Sequence, residues 1–300
     1  MRVAAAVAAV CALALGGAPR AAEPLPRPGP PPALKAPAGM QYLYGSGEAA
    51  ALTRGVWASL IDYVAKQVRR RPANSAVLAA GASLASPAWV PCGKKPFAAV
   101  FDVDETVLLN AGFEYDAARG SPYSDLRWAQ WEVYGATKPI PTPGAREALA
   151  RLRALGVTVI FNTNRSEAHA AESATAIEHA GLGPARWFAD PAKWREQTLY
   201  LADATPGGRK KDGRRDTIAD HYCVLAMGGD QLGDFSDLFN AEGGPVARRG
   251  WADGDAIARL WGAGWFVFPN PVYGTGLGAT IDETFPAGTR WPDPSEPESK

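Results

Sequence analysis

The 300-residue sequence has only three cysteines, three histidines and three methionines, and its 31 basic side chains are cancelled by 31 acidic ones. So few cysteines and histidines exclude a zinc-built scaffold. His169, His179 and His221 have no ligand spacing and read as helix-surface or packing residues. A formal charge of zero argues against a polyanion-binding surface, hence against a nucleic-acid polymer as partner, while leaving room for a local cationic pocket. No apolar run reaches the roughly 18 residues of a membrane span, and no internal repeat is evident. What is present is ordinary for a folded protein: 47% hydrophobic and 21% charged residues, which excludes wholesale disorder.

The two ends differ from the middle. Residues 3–17 form a short apolar stretch after Met1-Arg2, followed by small residues, the pattern of a cleaved secretory signal over residues 1–22. Ala8-Ala9-Val10 before Cys11 makes a poor lipobox, which favours an exported protein, periplasmic or secreted, over a lipid-anchored one. No membrane span is then expected after signal removal. Residues 23–39 are rich in proline and read as an extended linker. Residues 286–300 read as a loose tail, leaving one domain over 40–285. If Cys11 leaves with the signal, Cys92 and Cys223 remain, either paired or as two free thiols.

Within the domain, apolar positions at three-to-four spacing predict a helix over 46–71, ended by Pro72. A second helix is expected over 74–85. Short continuous apolar runs follow at 97–103, 157–161, 223–227 and 265–268, with Trp187-Phe188 as one further candidate strand. Helix-like segments at 144–155, 166–180, 213–222 and 253–262 separate them, and Gly156 and Gly181 supply two stops. This alternation predicts a three-layer α/β fold on a parallel sheet, with its site at the carboxyl ends of the strands.

Those ends carry compact polar groups: Asp102-Val103-Asp104-Glu105-Thr106, then Asn162-Thr163-Asn164-Arg165, then Asp230-Gln231-Leu232-Gly233-Asp234. Asp102 and Asp104 are two apart, and in extended chain they point the same way. Carboxylates gathered in one crevice repel unless a hard cation sits among them, and Mg²⁺ suits an oxygen-only donor set. With Thr163 and Lys211 available to hold a phosphate, the set predicts phosphoryl transfer to a carboxylate nucleophile. A strand-end aspartate is often only a cap or turn former, which could account for Asp234 or Asp212 but not for the convergence of Asp102, Asp104 and Asp230.

These motifs, FDVDETVL, FNTNR and GDQLGDF in that order, with SGEAAAL before them and PNPVYG after, resemble the haloacid dehalogenase (HAD) phosphatases, and within them the class C bacterial acid phosphatases and 5'-nucleotidases. The resemblance spans about residues 40–280. It implies an HAD-like (Rossmannoid) sheet and a small cap insertion, placed at about 110–141. It implies that Asp102 attacks phosphorus and Asp104 serves as acid and then base. The Asp102 and Asp230 carboxylates and the Asp104 backbone carbonyl would bind Mg²⁺, with Asp234 orienting the metal's waters. Thr163 would hydrogen-bond the phosphoryl group, and Lys211 would neutralise it. The K-x-x-R-R spacing favours Lys211 over Lys210.

The insertion carries Tyr115, Tyr123, Trp128, Trp131 and Tyr134, and Tyr273 lies in the late segment. Tyr273, Trp131 and Trp128 are the candidate substrate contacts, suited to stack on a nucleobase or aryl ring. The expected partner is a small phosphomonoester, a nucleoside monophosphate or aryl phosphate. Transfer to an alcohol acceptor, or a non-catalytic ligand-binding protein on the same scaffold, are the alternatives. The resemblance also sets Cys92 and Cys223 near the sheet edge opposite the site, which implies a structural disulfide.

Overall fold

Helices α1 (Ala38–Gly45) and α2 (Gly47–Arg70) open the described chain, joined at Ser46. The Ser46 hydroxyl accepts from the Ala49 amide at 3.0 Å, satisfying one of the N–H groups a helix start leaves without a partner. Ala49, Thr53, Trp57, Leu60 and Val64 recur along one face of α2 and are all buried. Arg71 closes the helix in the left-handed region, at φ 47°, and Pro72 cannot extend it. The computed structural model describes residues 35–203, 208–241 and 243–291. The signal segment, Cys11 and most of the proline-rich stretch lie outside the described residues. α1 begins inside the stretch read as linker.

The remaining elements follow in chain order. Strands β1 (Asn74–Leu78) and β2 (Trp89–Pro91) form an antiparallel pair. Then come β3 (Phe97–Phe101), β4 (Leu108–Leu109), α3 (Ala111–Ala118), α4 (Asp125–Tyr134), β5 (Ile140–Pro141), α5 (Ala145–Ala154), β6 (Thr158–Ser166) and α6 (Ala170–His179). The last group is β7 (Leu199–Ala202), α7 (Asp212–His221), β8 (Cys223–Gly229), α8 (Pro245–Asp253), α9 (Asp255–Ala258), β9 (Trp265–Val267) and α10 (Ile281–Thr284). Five strands make one parallel sheet in the order β7-β6-β3-β8-β9.

Alternation along β3 shows why this is a three-layer fold. Ala99 and Phe101 pack with Trp57 and Leu60 of α2, Leu149 of α5 and Ile177 of α6. Ala98 and Val100 pack on the other face with Ile218 of α7, Val77 of β1 and Ile257 of α9. From β3 the chain adds strands outward on one side, to β6 and β7, then crosses to β8 on the other. The sheet therefore changes direction between β3 and β8, and a crevice opens beyond their carboxyl ends. Among the described residues no helix is long and apolar enough to cross a membrane.

Three sequence expectations are corrected. Residues 74–85 are not a helix: 74–78 form β1, with Ser75 and Val77 turned inward. The alanines suggested helix, but Gly81 at φ 78° and Pro87 break the segment, and burial beside β8 decides its form. Trp187-Phe188 is not a strand; the edge strand is β7, a buried run of four residues. The helix read over 253–262 stops early, its place divided between α8 and the short α9 at Gly254.

Cys92 and Cys223 are disulfide-bonded across a separation of 131 residues. Cys223 opens β8 opposite Phe97, the first residue of β3, so the bond lies at the edge of the sheet away from the crevice. Loop-closure entropy for so long a span predicts a loss of about 5 kcal/mol when the bond is removed. The paired Cys92→Ser, Cys223→Ser protein should melt well below the parent in a calorimetric scan. An unchanged transition would show that the bond constrains nothing.

Candidate active site

β3 and β8 end side by side, and the backbone ties their exits together: the Asp102 amide donates to the Gly228 carbonyl at 2.9 Å. This brings Asp102, from one strand, beside Asp230, from the other. The Thr106 hydroxyl, fully buried, lies 3.1 Å from Asp230 Oδ1 and 3.3 Å from Asp102 Oδ2. Asp230 Oδ2 accepts from Gln231 Nε2 at 2.9 Å and Asn270 Nδ2 at 2.7 Å. Asp234 sits on the next turn, where the Gln231 amide donates to its Oδ2 at 2.9 Å. A side chain at Gly229 would collide with Asp234, its Cβ falling 2.3 Å from the aspartate's own Cβ, so glycine is required for this approach.

Lys211, not Lys210, turns into the site, and it is 4% exposed. Its ammonium donates to Asp102 Oδ1 and, at 2.7 Å, to Asp234 Oδ1. Burial alone would pull the lysine down, but Asp102 and Asp234 outweigh it and hold its pKa above the ordinary value. Asp237 fixes the backbone here, accepting from the Lys211 and Asp212 amides at 3.0 and 2.7 Å.

Asp104 is held from a different side. Arg165, 1% exposed at the end of β6, grips it through Nη2 at 2.7 Å and Nε at 3.0 Å. Asn110 adds its Nδ2 at 2.9 Å. Thr163 is also fully buried, with its hydroxyl 3.5 Å from Asp104 Oδ2. Asn110 is the hub of this side: its Oδ1 accepts from Arg165 Nη2 at 3.1 Å and from Trp131 Nε1 at 2.9 Å. Glu105 occupies the left-handed region at φ 58°. Its buried carboxyl accepts from the Asn110 amide at 2.8 Å, Tyr44 at 3.1 Å and Tyr273.

The acids open onto a cavity of about 490 Å³. Asp102, Asp104, Lys211, Asp230 and Asp234 line it. So do Phe113, Glu114, Tyr123 and Trp128 of the insertion, which with Tyr273 form an aromatic wall. Trp128 is oriented by Glu132, which accepts from its Nε1 at 3.1 Å and also binds the Ser166 amide and His169. Trp131 lies behind this wall, packed over Gly112 and Gly135. Tyr115 and Tyr134 are exposed and do not line the cavity.

Sequence reasoning missed Arg165, Asn110 and Glu105 as parts of the site. Glu105 and Arg165 stand inside the quoted motifs, and that adjacency was the available signal. Asn110 had none, because it lies beyond the motif and its role depends on Arg165 of β6 and Trp131 of α4 as well as on nearby Asp104 and Glu105.

Among the described residues, carboxylate oxygens of Asp102, Asp230 and Asp234 lie within 4.8 Å of one another. Asp104 and Glu105 add further negative charge, against the buried cations Lys211 and Arg165. An all-oxygen donor set with more acid than base fits a hard divalent cation. Burial pushes Asp230 up to about 7, with the charge of Asp234 adding to it. Burial and the charge of Asp104 push Glu105 up to about 7, against hydrogen bonds from Tyr273 and Asn110. Asp102 is also raised, chiefly by burial, with Lys211 opposing.

Raised carboxyls bind protons more tightly folded than unfolded. Their contribution to stability is complete below about pH 4 and is lost as pH rises through 7. In chelator, the melting temperature should fall from pH 5 to pH 8, and a divalent ion should restore it at the upper end. A melting temperature that rises with pH in chelator contradicts this electrostatic picture.

The chain matches a family model described as HAD superfamily, subfamily IIIB (acid phosphatase), over residues 52–276. Among solved structures it is similar to the class C acid phosphatase from Bacillus anthracis with tungstate bound, at 21% identity and a TM-score of 0.62, over 79% of this chain and 84% of that one. A second structure of the class C acid phosphatase from Bacillus anthracis matches at 20% identity with the same TM-score and coverage. At such identity these likenesses speak to the fold. No curated protein matches the chain.

Proposed function

The chain belongs to HAD superfamily subfamily IIIB, the acid phosphatases, and is a phosphomonoesterase; from that premise we propose an exported, Mg²⁺-dependent enzyme that works through an aspartyl-phosphate on Asp102. The observation that carries this reading is the meeting of Asp102 and Asp230, from adjacent strands, beside the Lys211 ammonium.

In the first half-reaction, an Asp102 oxygen bonds to phosphorus and the ester oxygen departs, taking a proton from Asp104. In the second, water attacks the phosphorus, Asp104 accepts its proton, and Asp102 leaves as carboxylate with release of inorganic phosphate. Arg165 and Asn110 hold the Asp104 carboxyl in place between the two steps. Lys211 and Thr163 neutralise and hydrogen-bond the transferring oxygens. Asp234 holds Lys211 and would steady the water shell of the ion. Asp102, Asp230 and the Asp104 backbone carbonyl would hold Mg²⁺, which when bound offsets the negative charge of acids and phosphoryl group alike.

Aromatic walls from Phe113, Tyr123, Trp128 and Tyr273 favour nucleoside monophosphates or aryl phosphates as substrates. The tungstate held by the Bacillus anthracis neighbour is an oxyanion of the kind this reading requires here. Export is supported by the pattern of residues 1–22 and by a disulfide suited to an oxidising compartment.

A phosphate-release screen over nucleoside, aryl and sugar phosphates tests the reading. Turnover should require Mg²⁺, disappear in chelator and return on re-addition. Full turnover by homogeneous protein in chelator would overturn the metal assignment.

A further inference from the structure

Glu114, in α3, is an acid the mechanism above does not use. The residue is only 7% exposed, it lines the substrate cavity, and its carboxyl, with no hydrogen-bond or ion-pair partner among the described residues, is open to that cavity. Burial of the side chain raises its pKa. Buried charges in proteins are ordinarily paired. The cations that line this cavity are committed elsewhere. Lys211 bonds Asp102 and Asp234, and Arg209 reaches across the rim to Asp125 at 2.8 Å.

The surroundings of Glu114 are aromatic. Phe113 meets Trp128 edge-on, with ring centroids 5.1 Å apart at 84°, and Tyr123 at 6.3 Å and 72°. All three rings line the same cavity. Ring faces attract cations through their negative quadrupole, and aromatic cages are a recurring way to bind ammonium groups. A carboxyl without a partner lines the cavity together with three aromatic rings, of which Trp128 already meets the Arg165 guanidinium at 5.6 Å while, among the described residues, Phe113 and Tyr123 have no such cation.

We infer that Glu114 is a specificity residue for a positively charged nitrogen on the leaving alcohol, so that, among esters of non-aromatic alcohols, those of amino or quaternary ammonium alcohols are preferred. This rests on the proposed phosphatase reading and deepens it by naming a substrate class. Glu114 binds the cation, the rings cover it, and the phosphoryl group reaches the acids that line the same cavity. A neutral ester of equal shape leaves the carboxyl without its partner.

The test compares phosphoethanolamine and phosphocholine with their carbon isosteres, in which carbon replaces nitrogen, as kcat/KM for the Mg²⁺-loaded enzyme. The wild type should favour the ammonium esters by at least about tenfold, mainly through KM. In Glu114→Gln the ratio should fall toward one, and Glu114→Asp should keep part of it. A ratio near one in the wild type, or an undiminished ratio in Glu114→Gln, overturns the inference. So does a Gln variant that alters only the choice between amino- and keto-bearing nucleotides, since the carboxyl would then accept from a neutral N–H. Wild-type turnover of the isosteres without ammonium preference sinks this inference alone. Turnover of no ester at all sinks the phosphatase reading with it.

Discussion

Asp102→Asn is expected to lower kcat by at least about 10⁴-fold, because an amide oxygen is a poor nucleophile and Asp102 is the acid that ends β3 beside Lys211. The fold should survive. Asp102 is buried among Asp104, Asp230 and Asp234, whose charges all oppose its ionisation. Replacing it by an isosteric amide removes that repulsion, while Lys211 keeps Asp234 as partner. In chelator at neutral pH the variant should melt no lower than the parent. Purified variant with near-parental turnover, contaminating phosphatase excluded, would refute the nucleophile assignment. A variant that is inactive because it is unfolded would show that Asp102 supports the fold, and the melting curve separates the two cases.

Asp104→Asn is expected to cost about 10²- to 10⁴-fold, the range for loss of a positioned acid and base. Its signature should depend on the leaving group. An aryl alcohol departs readily without a proton, so the first half-reaction should remain fast with a nitrophenyl ester, while hydrolysis of the intermediate stalls for want of a base. The variant should then release about one equivalent of nitrophenol per enzyme before slowing. Alkyl esters need the proton and should show no burst. Equal slowing of both ester classes, without a burst, would mean that Asp104 is not the shared acid and base. Arg165 and Asn110 bond the Asp104 carboxyl directly, so an asparagine at 104 will also disturb their geometry. The contrast between leaving groups is therefore more telling than the size of the loss.

How far the sequence could be read depended on where each residue finds its partner. α2 was legible because its cap, its apolar face and its stop lie within one run of chain. The four strands read from apolar runs are all present, and the acids after β3 and β8 meet because those strands are neighbours. β1 and β7 were not legible. An alanine-rich segment satisfies helix propensity until burial against β8 overrules it, and a four-residue buried run carries too little pattern to separate it from Trp187-Phe188. In the site, Lys211 over Lys210 followed from spacing. The Arg165 grip on Asp104 did not, since it joins residues 61 positions apart on different strand ends. Glu114 left no trace in the sequence, because an acid in a cap helix looks like any solvated one until its burial is known.

The most direct test of the account is chemical identification of the phosphorylated residue. Mg²⁺-loaded enzyme is mixed with excess aryl phosphate, denatured within the first turnover and treated with borohydride, which reduces an aspartyl-phosphate to homoserine. Peptide mass spectrometry should find homoserine at position 102, dependent on substrate and absent from Asp102→Asn. Homoserine at another position, or a phosphoryl group held by any residue other than Asp102, would contradict the account.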